Sequence, residues 1–337
     1  MGHDPDLRRR RLIAAAISGV GASPFAGIVA TARAQSQSRW PQRPLRMIVP
    51  FAAGGTTDAI GRVVAQLLGD RLGQQVVVDN RPGAGGVLGS EVGARAQPDG
   101  YTILMASAGT YGMTDGIAKR LNYDPDRDLI PCTMLARAPN AVAVHPSVNA
   151  HTLKELVELA RANPGRIHYG SPGIGSNPHL IGALFADRAK VDMTHVPYKG
   201  GGNSIVDLVS GQIEALWTGV VTIAPRHKAG QARALAVTGA QRTPLMPDVP
   251  TMAEAGYDDF VLGALFGVFV PAGTPPESVS RLTSELVSVV RDPEYRRRLV
   301  DIGQEPTDPL TGVAHARAMR AEAERFRRIA ELAGVRD

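Results

Sequence analysis

Short apolar or β-branched runs alternate along this chain with longer segments whose apolar residues recur at helical spacing. Residues 46–49 predict a strand that stops at Pro50. Ile60, Val63, Val64, Leu67 and Leu68 then mark one face of a helix ending near Gly73. Strands are predicted at 76–78 and 101–105, with a turn-rich connection and a second helix between them. This β-α-β-α-β order implies a mostly parallel sheet with helices on its faces. A long extended stretch covers 129–144. The alternation then resumes with a helix over 153–162, opened by a Thr152/Glu155 capping box. Strands follow at 167–170, 194–196, 213–217 and 233–238. Helices start at Ser176-Asn177-Pro178, over 205–209 and near 223–229. Thr251 with Glu254 reads as a second capping box, and 261–270 as a long apolar strand. Thr274-Pro275-Pro276-Glu277 combines a cap, an early helical proline and an N3 glutamate, a helix start. The last 60 or so residues are mostly helical and charged.

Two α/β blocks result. The extended stretches 129–144 and 261–270 are candidates for strands that cross between them. If both cross, the C-terminal helices return to the first block, leaving two lobes, a cleft and a double hinge. The 337 residues suit two domains at roughly 100–200 residues each. No repeat of solenoid period is present.

The N-terminus changes how the charge is read. Arg8, Arg9, Arg10 and Arg11 precede a run of apolar and small residues over 12–30, and Ala32-Arg33-Ala34 supplies a cleavage site. This is the pattern of a secretory signal peptide over 1–34. The alternative, a permanent anchor, is disfavoured by Ser18, Gly19, Gly21, Ser23, Pro24 and Gly27 within the run. General and twin-arginine export both fit. Removing 1–34 takes five arginines and two aspartates. The formal charge falls from +5 to +2, which gives no electrostatic case for nucleic acid. No later segment reaches the ~18 apolar residues of a membrane span, so the mature chain is expected to be soluble, periplasmic and monomeric. Its single cysteine, Cys132, excludes an internal disulfide and reads as a buried small hydrophobe.

No enzyme constellation emerges. There is no G-x-S-x-G, no H-E-x-x-H, no paired-cysteine spacing and no phosphate-binding P-loop. Gly83-Ala84-Gly85-Gly86 falls short of a dinucleotide fingerprint because Leu88 stands where glycine or alanine is needed. No cofactor, metal site or catalytic residue is expected. What stands out is a set of glycine- and hydroxyl-rich turns after strands. They are Phe51-Ala52-Ala53-Gly54-Gly55-Thr56-Thr57-Asp58, Ala106-Ser107-Ala108-Gly109-Thr110 and Ser171-Pro172-Gly173-Ile174-Gly175-Ser176-Asn177. A helix start leaves unpaired N–H groups and partial positive charge, and glycine lets a ligand oxygen approach. Two such turns from opposite lobes hold a carboxylate without arginine. One turn alone is better explained as a cap; three in two lobes favour a shared cleft.

These residues resemble a known family. Ile48-Val49-Pro50-Phe51-Ala52-Ala53-Gly54-Gly55-Thr56-Thr57-Asp58, Val78-Asp79-Asn80-Arg81-Pro82-Gly83-Ala84-Gly85-Gly86 and Pro98-Asp99-Gly100-Tyr101-Thr102 come in its order. So do His195-Val196-Pro197-Tyr198-Lys199-Gly200-Gly201-Gly202, Arg233-Ala234-Leu235-Ala236-Val237-Thr238, Asp248-Val249-Pro250-Thr251 and Pro271-Ala272-Gly273-Thr274-Pro275. The sequence resembles the Bug (TctC-like) periplasmic solute receptors of tripartite tricarboxylate transporters. The resemblance implies an α/β, type II periplasmic-binding-protein fold: two lobes, a double-stranded hinge and a ligand cleft that closes like a Venus flytrap. The lobes are expected at 35–138 plus 256–337 and at 139–255.

The resemblance also implies a small carboxylate or related organic acid as ligand and the transporter's membrane subunits as partners. The expected ligand-binding residues are Phe51, Ala52, Gly54, Gly55, Thr56, Asp58, Ser107, Gly109, Thr110, Ser171, Gly175, Ser176, Asn177, His179, Tyr198 and Trp217. Asp58 reads mainly as a cap that orders its loop. Trp217 reads equally as a cleft wall or as core. His195 reads as structural more than ligand-contacting, and Lys199 as a donor or a solvent-facing residue. Departures from the family cluster in the candidate cleft. They are the 106–112 loop, Pro178 with its missing N–H, and Leu216-Trp217-Thr218-Gly219. They leave the ligand open. A ligand sensor feeding a signalling partner presents the same closed surface as an uptake receptor, and an exported enzyme is disfavoured.

Overall fold

The computed structural model describes residues 40–112 and 121–335. The expected signal peptide at 1–34 lies outside them. Residues from Arg43 onward form one compact unit. It begins with β1 (Leu45–Val49), α1 (Thr56–Leu72) and β2 (Val76–Asn80). A short turn leads to α2 (Val87–Ala94), then β3 (Thr102–Ser107). β1 pairs in parallel with both β2 and β3, as the alternation required. Helix α1 forms because Ile60, Val64, Leu68 and Leu72 fall on one buried face. It ends where Gly73 turns left-handed (φ 68°) and donates to Gly69 O.

After β3 come α3 (Ala108–Gly112) and α4 (Pro125–Asp128), then the 16-residue β4 (Leu129–Val144). Its first part pairs antiparallel with β9 (Gly263–Pro271), which lies between β3 and β4. From Asn140 to Val144 it pairs instead with β7 (Ala215–Gly219) and β8 (Arg233–Val237). One strand thus serves two halves of a continuous sheet ordered β2-β1-β3-β9-β4-β7, continuing to β5 (Ile167–Ser171) and β6 (Met193–Pro197). Each half is parallel within itself, and the two crossing strands run antiparallel to their neighbours. That departs from a mostly parallel sheet, because a chain that leaves one half and returns must reverse direction at the joint.

The second half adds α5 (Leu153–Ala162), α6 (Asn177–Ala189), α7 (Gly201–Val209) and α8 (Val220–Lys228). Trp217, Phe185 and Phe260 centre its core. Thr152 Oγ1 caps Glu155 N, but Glu155 reaches back to His151 N instead of closing a reciprocal box. Thr251 and Glu254 do bond reciprocally, around a turn and not a helix. The chain ends in α9 (Pro276–Arg291), α10 (Pro293–Asp301), the two-residue β10 (Glu305–Pro306) and α11 (Gly312–Leu332). The residue before α9 is Pro275, and Thr274 donates to Pro271 O (2.7 Å), so Thr274 closes the preceding turn and does not cap the helix. Helix α11 binds the halves together. Met319 packs with Leu104 and Phe269 of the first half, and Phe326, Ile329 and Ala330 join the core of the second. Cys132 is fully buried, and burial pushes its thiol up to about 12. Among the described residues no helix is long and apolar enough to cross a membrane, and no cluster of three or more His, Cys, Asp or Glu is placed to hold a metal.

Candidate functional site

Four helices of two turns or more begin at one place. The residues just before α1, α6, α7 and α8 are Gly55, Ser176, Gly200 and Gly219, and no side chain caps any of the four starts. They are close neighbours. A Cβ on Gly55 would lie 3.7 Å from Gly201 N, and one on Gly201 would meet Thr218 Oγ1 at 2.6 Å. Asn140 of β4 pairs with Gly219, and its Nδ2 donates to Asn177 Oδ1 (2.6 Å), which ties α6 to the crossing strand. These residues surround a cavity. Among the described residues no charged side chain lines it. Its electrostatics come from the helix starts, whose orphan N–H groups and dipoles favour an anion. Ser176 Oγ lines it, is buried and has no hydrogen-bond partner. A buried hydroxyl left unpaired costs stability unless a ligand or water meets it.

The loop from the first half is held from behind. Gly54, at φ +79°, donates its N–H to Asp58 Oδ2 (3.0 Å). Asn80 Nδ2 reaches Asp58 Oδ1 (3.1 Å) and Phe51 O (3.0 Å), and Arg62 Nε reaches Asp58 Oδ2 (2.9 Å). Burial opposes the Asp58 charge. Donation from Arg62, Gly54 N and Asn80 outweighs it and holds the carboxyl below its ordinary range.

The facing loop turns through Gly173 (φ +139°) and Gly175 (φ +71°), conformations that favour glycine. Gly175 N donates to His179 Nδ1 (3.0 Å), and Ser171 Oγ lies 2.7 Å from His195 Nε2. The two imidazoles stack with centroids 3.8 Å apart. Burial pushes His179 down to about 4; burial, then the His179 charge, pushes His195 down to about 3. Both rings are therefore neutral at pH 7, and His179 stays a hydrogen-bond acceptor.

Of the sixteen expected residues, Phe51, Gly55, Thr56, Ser107, Gly109, Thr110, Ser176 and Asn177 line this cavity. The others stand behind or beside it. Asp58, Ser171, Gly175 and His179 shape the two loops. Ala52 and Gly54 sit where the halves touch: Ala52 N donates to Lys199 O (3.4 Å), and a Cβ on Gly54 would be 4.0 Å from Gly202 Cα. Tyr198 donates its hydroxyl to Asp207 Oδ2 (2.7 Å). Trp217 is fully buried against Phe185 (5.3 Å), so of its two readings the structure places it in the core. The lining also includes Thr57, Gly85, Ala138, Asn140, Pro172, Pro178, Gly201, Thr218, Gly219, Ala264 and Phe266, which the sequence list lacked. Gly201 and Gly219 carried a signal: Gly201 belongs to the glycine run that opens α7, and Gly219 stands directly before α8. Ala138, Asn140, Ala264 and Phe266 lie inside long strands and carried none.

Comparison with known proteins adds an independent line. The family model described as the tripartite tricarboxylate transporter family receptor, TctC, matches residues 60–334. Protein BugT of Bordetella pertussis is 37% identical over 262 residues, 77% of this chain and 79% of that one. An R. palustris protein solved with adipate superposes with a TM-score of 0.84 at 34% identity, covering 88% of this chain and 99% of that one. MatC from Rhodopseudomonas palustris, solved with bound malate, gives 0.80 at 31% identity over 86% and 99%. The two-lobed type II fold is shared with these structures. The chain belongs to the family of periplasmic Bug (TctC-like) solute receptors of tripartite tricarboxylate transporters.

Proposed function

We propose that this receptor captures a small carboxylate or related organic acid by closing its two lobes, and delivers it to the membrane subunits of a tripartite tricarboxylate-type transporter. The observation that carries this is a cavity with no charged side chain among its described lining residues, into which four helices direct uncapped N-termini. Such a site balances one anionic group with backbone donors and holds no machinery for bond-making. The adipate and malate in two relatives are ligands of the same chemistry. The lobes are 35–138 with 256–337, and 139–255, joined by β4 and β9. The chain is exported and residues 1–34 are removed near Ala34, which N-terminal sequencing of the protein recovered outside the cytoplasm checks. Ligand contact falls to the expected residues that line the cavity. Asp58 and His179 hold the loops.

The test is a thermal-shift screen of a carboxylate panel against matched neutral compounds. A ligand that binds only the native state raises the melting temperature by mass action. An acid should give the largest shift, and a neutral compound doing so refutes the reading. Loss of uptake of that acid in cells lacking the receptor, restored by the intact gene, tests delivery.

A further inference from the structure

The cavity has two unlike ends. At one, the four helix starts meet around Asn140 and Gly219, with Ser176 beside them. From there the floor runs back along the crossing strands. Two residues before Asn140 is Ala138, paired with Ala264 of β9. Two residues further along β9 is Phe266, paired with Ala136 on one side and Ser107 on the other. Phe51 closes the same end, since a Cβ on Gly86 would touch both its ring and Thr110 Cγ2. The hydroxyls here are already engaged. Ser107 N donates to Thr110 Oγ1 (3.1 Å), Thr110 Oγ1 donates to Ser107 O (3.0 Å), and Thr110 N donates to Ser107 Oγ (3.2 Å). Pro178, in the first turn of α6, offers no N–H.

A second carboxylate at this end would leave water and, among the described lining residues, meet no cation, which is unfavourable. An apolar body would cover Phe51, Ala138, Ala264 and Phe266 and gain by it. We infer that the ligand is a monocarboxylic acid with an apolar body. Its carboxylate lies at the helix starts, and Phe51, Ala138, Ala264 and Phe266 select against a second charge. The inference rests on the carboxylate reading above and narrows it.

Hexanoate, adipate and hexanamide separate the two claims, because they share a six-carbon chain and differ at one end each. Calorimetric titration of the purified receptor should give hexanoate an affinity about tenfold or more above adipate, with hexanamide weaker still. Adipate binding as tightly as hexanoate overturns the inference and leaves the carboxylate reading standing. Hexanamide matching hexanoate, or no binding by any of the three, overturns both. A second arm uses Phe266→Gln, which brings an amide donor to the apolar end. The hexanoate preference should fall by about fivefold or more. Equal loss for both acids, or an unchanged ratio, overturns the assignment of that wall.

Discussion

Gly202 is the second residue of α7 and packs on the backbone of the facing loop. A Cβ there would run into the Ala53 carbonyl oxygen and stand 3.4 Å from Ala53 C and 3.6 Å from Gly54 C. The Ala53–Gly54 backbone cannot yield cheaply, because Asp58 and Asn80 pin it through Gly54 N and Phe51 O. Overpacking of this kind costs about 1–3 kcal/mol, and the seam between the lobes must widen to relieve it. The same Cβ costs nothing when the lobes are apart, and alanine in a helix is worth about 0.5–1 kcal/mol over glycine. Gly202→Ala therefore penalises the closed form alone. At about 1.4 kcal/mol per decade, ligand affinity should fall roughly 5- to 150-fold. The unliganded melting temperature should stay level or rise. Calorimetric titration with the strongest ligand from the screen, alongside unliganded thermal unfolding, reads both quantities. Affinity within about twofold of the parent at unchanged stability would show that this seam does not form on binding, and the reasoning fails.

Gly73→Ala, at φ 68° with open space around it, should cost about 1–2 kcal/mol in a urea titration and leave affinity untouched; a change in affinity would mean that α1 is not a rigid platform. Ser176→Ala removes an unpartnered hydroxyl, so stability should hold while affinity drops by about 0.5–1.5 kcal/mol; equal affinity removes Ser176 from the ligand. The folded Asp58 pKa lies below its unfolded value, so its stabilisation is present above that unfolded value, about 4, and is lost as pH falls through the folded one. Asp58→Asn should lower stability at pH 7 and flatten the acid limb of the urea midpoint against pH, and an unaltered limb contradicts the role given to its charge. His179 and His195 are held neutral, so below pH about 6.5 the unfolded chain binds more protons and stability declines toward the native values of about 4 and about 3. The loss in urea midpoint between pH 7.5 and pH 5 should shrink in His195→Phe, and an equal loss in both proteins shows that the stack is not what senses acid.

The parts legible in the sequence are those whose cause is local. The crossing strand β4 was predicted at 129–144 and occupies Leu129–Val144, because a long, mostly apolar stretch with a single charged residue, Arg137, reads as extended without knowledge of its partners. The loop turns were legible because left-handed backbone at Gly54, Gly173 and Gly175 demands glycine. The floor of the cavity was not. Which side of a strand a residue faces follows from counting by two, and β4 loses that count at irregularities between Pro131 and Thr133 and between Met134 and Ala136. β7 shows the same difficulty at single-residue scale: Trp217 goes to the core, and its neighbour Thr218 faces the cavity. A reading that weighed the large aromatic had no local reason to choose the threonine after it.

This division bears on how such a receptor selects its ligand. Backbone N–H groups at a helix start do not change when side chains change, so the proposed anion site is set by the fold itself. On that proposal, selection among acids falls to the side chains of the floor, and these lie on β4 and β9, the two strands that pass between the lobes. A larger or more polar body therefore presses on the hinge and not on a peripheral wall. Asn140 sits at the point of transfer. Its side chain holds Asn177 at the ligand end, its N–H is taken by Thr238 Oγ1 (2.9 Å), and Thr238 in turn donates to Leu262 O at the entry to β9. A ligand that shifts Asn177 is thus felt in both crossing strands through three consecutive hydrogen bonds. In this arrangement, fitting the body and closing the lobes are one event, so ligand preference and the extent of closure should change together when floor residues are substituted.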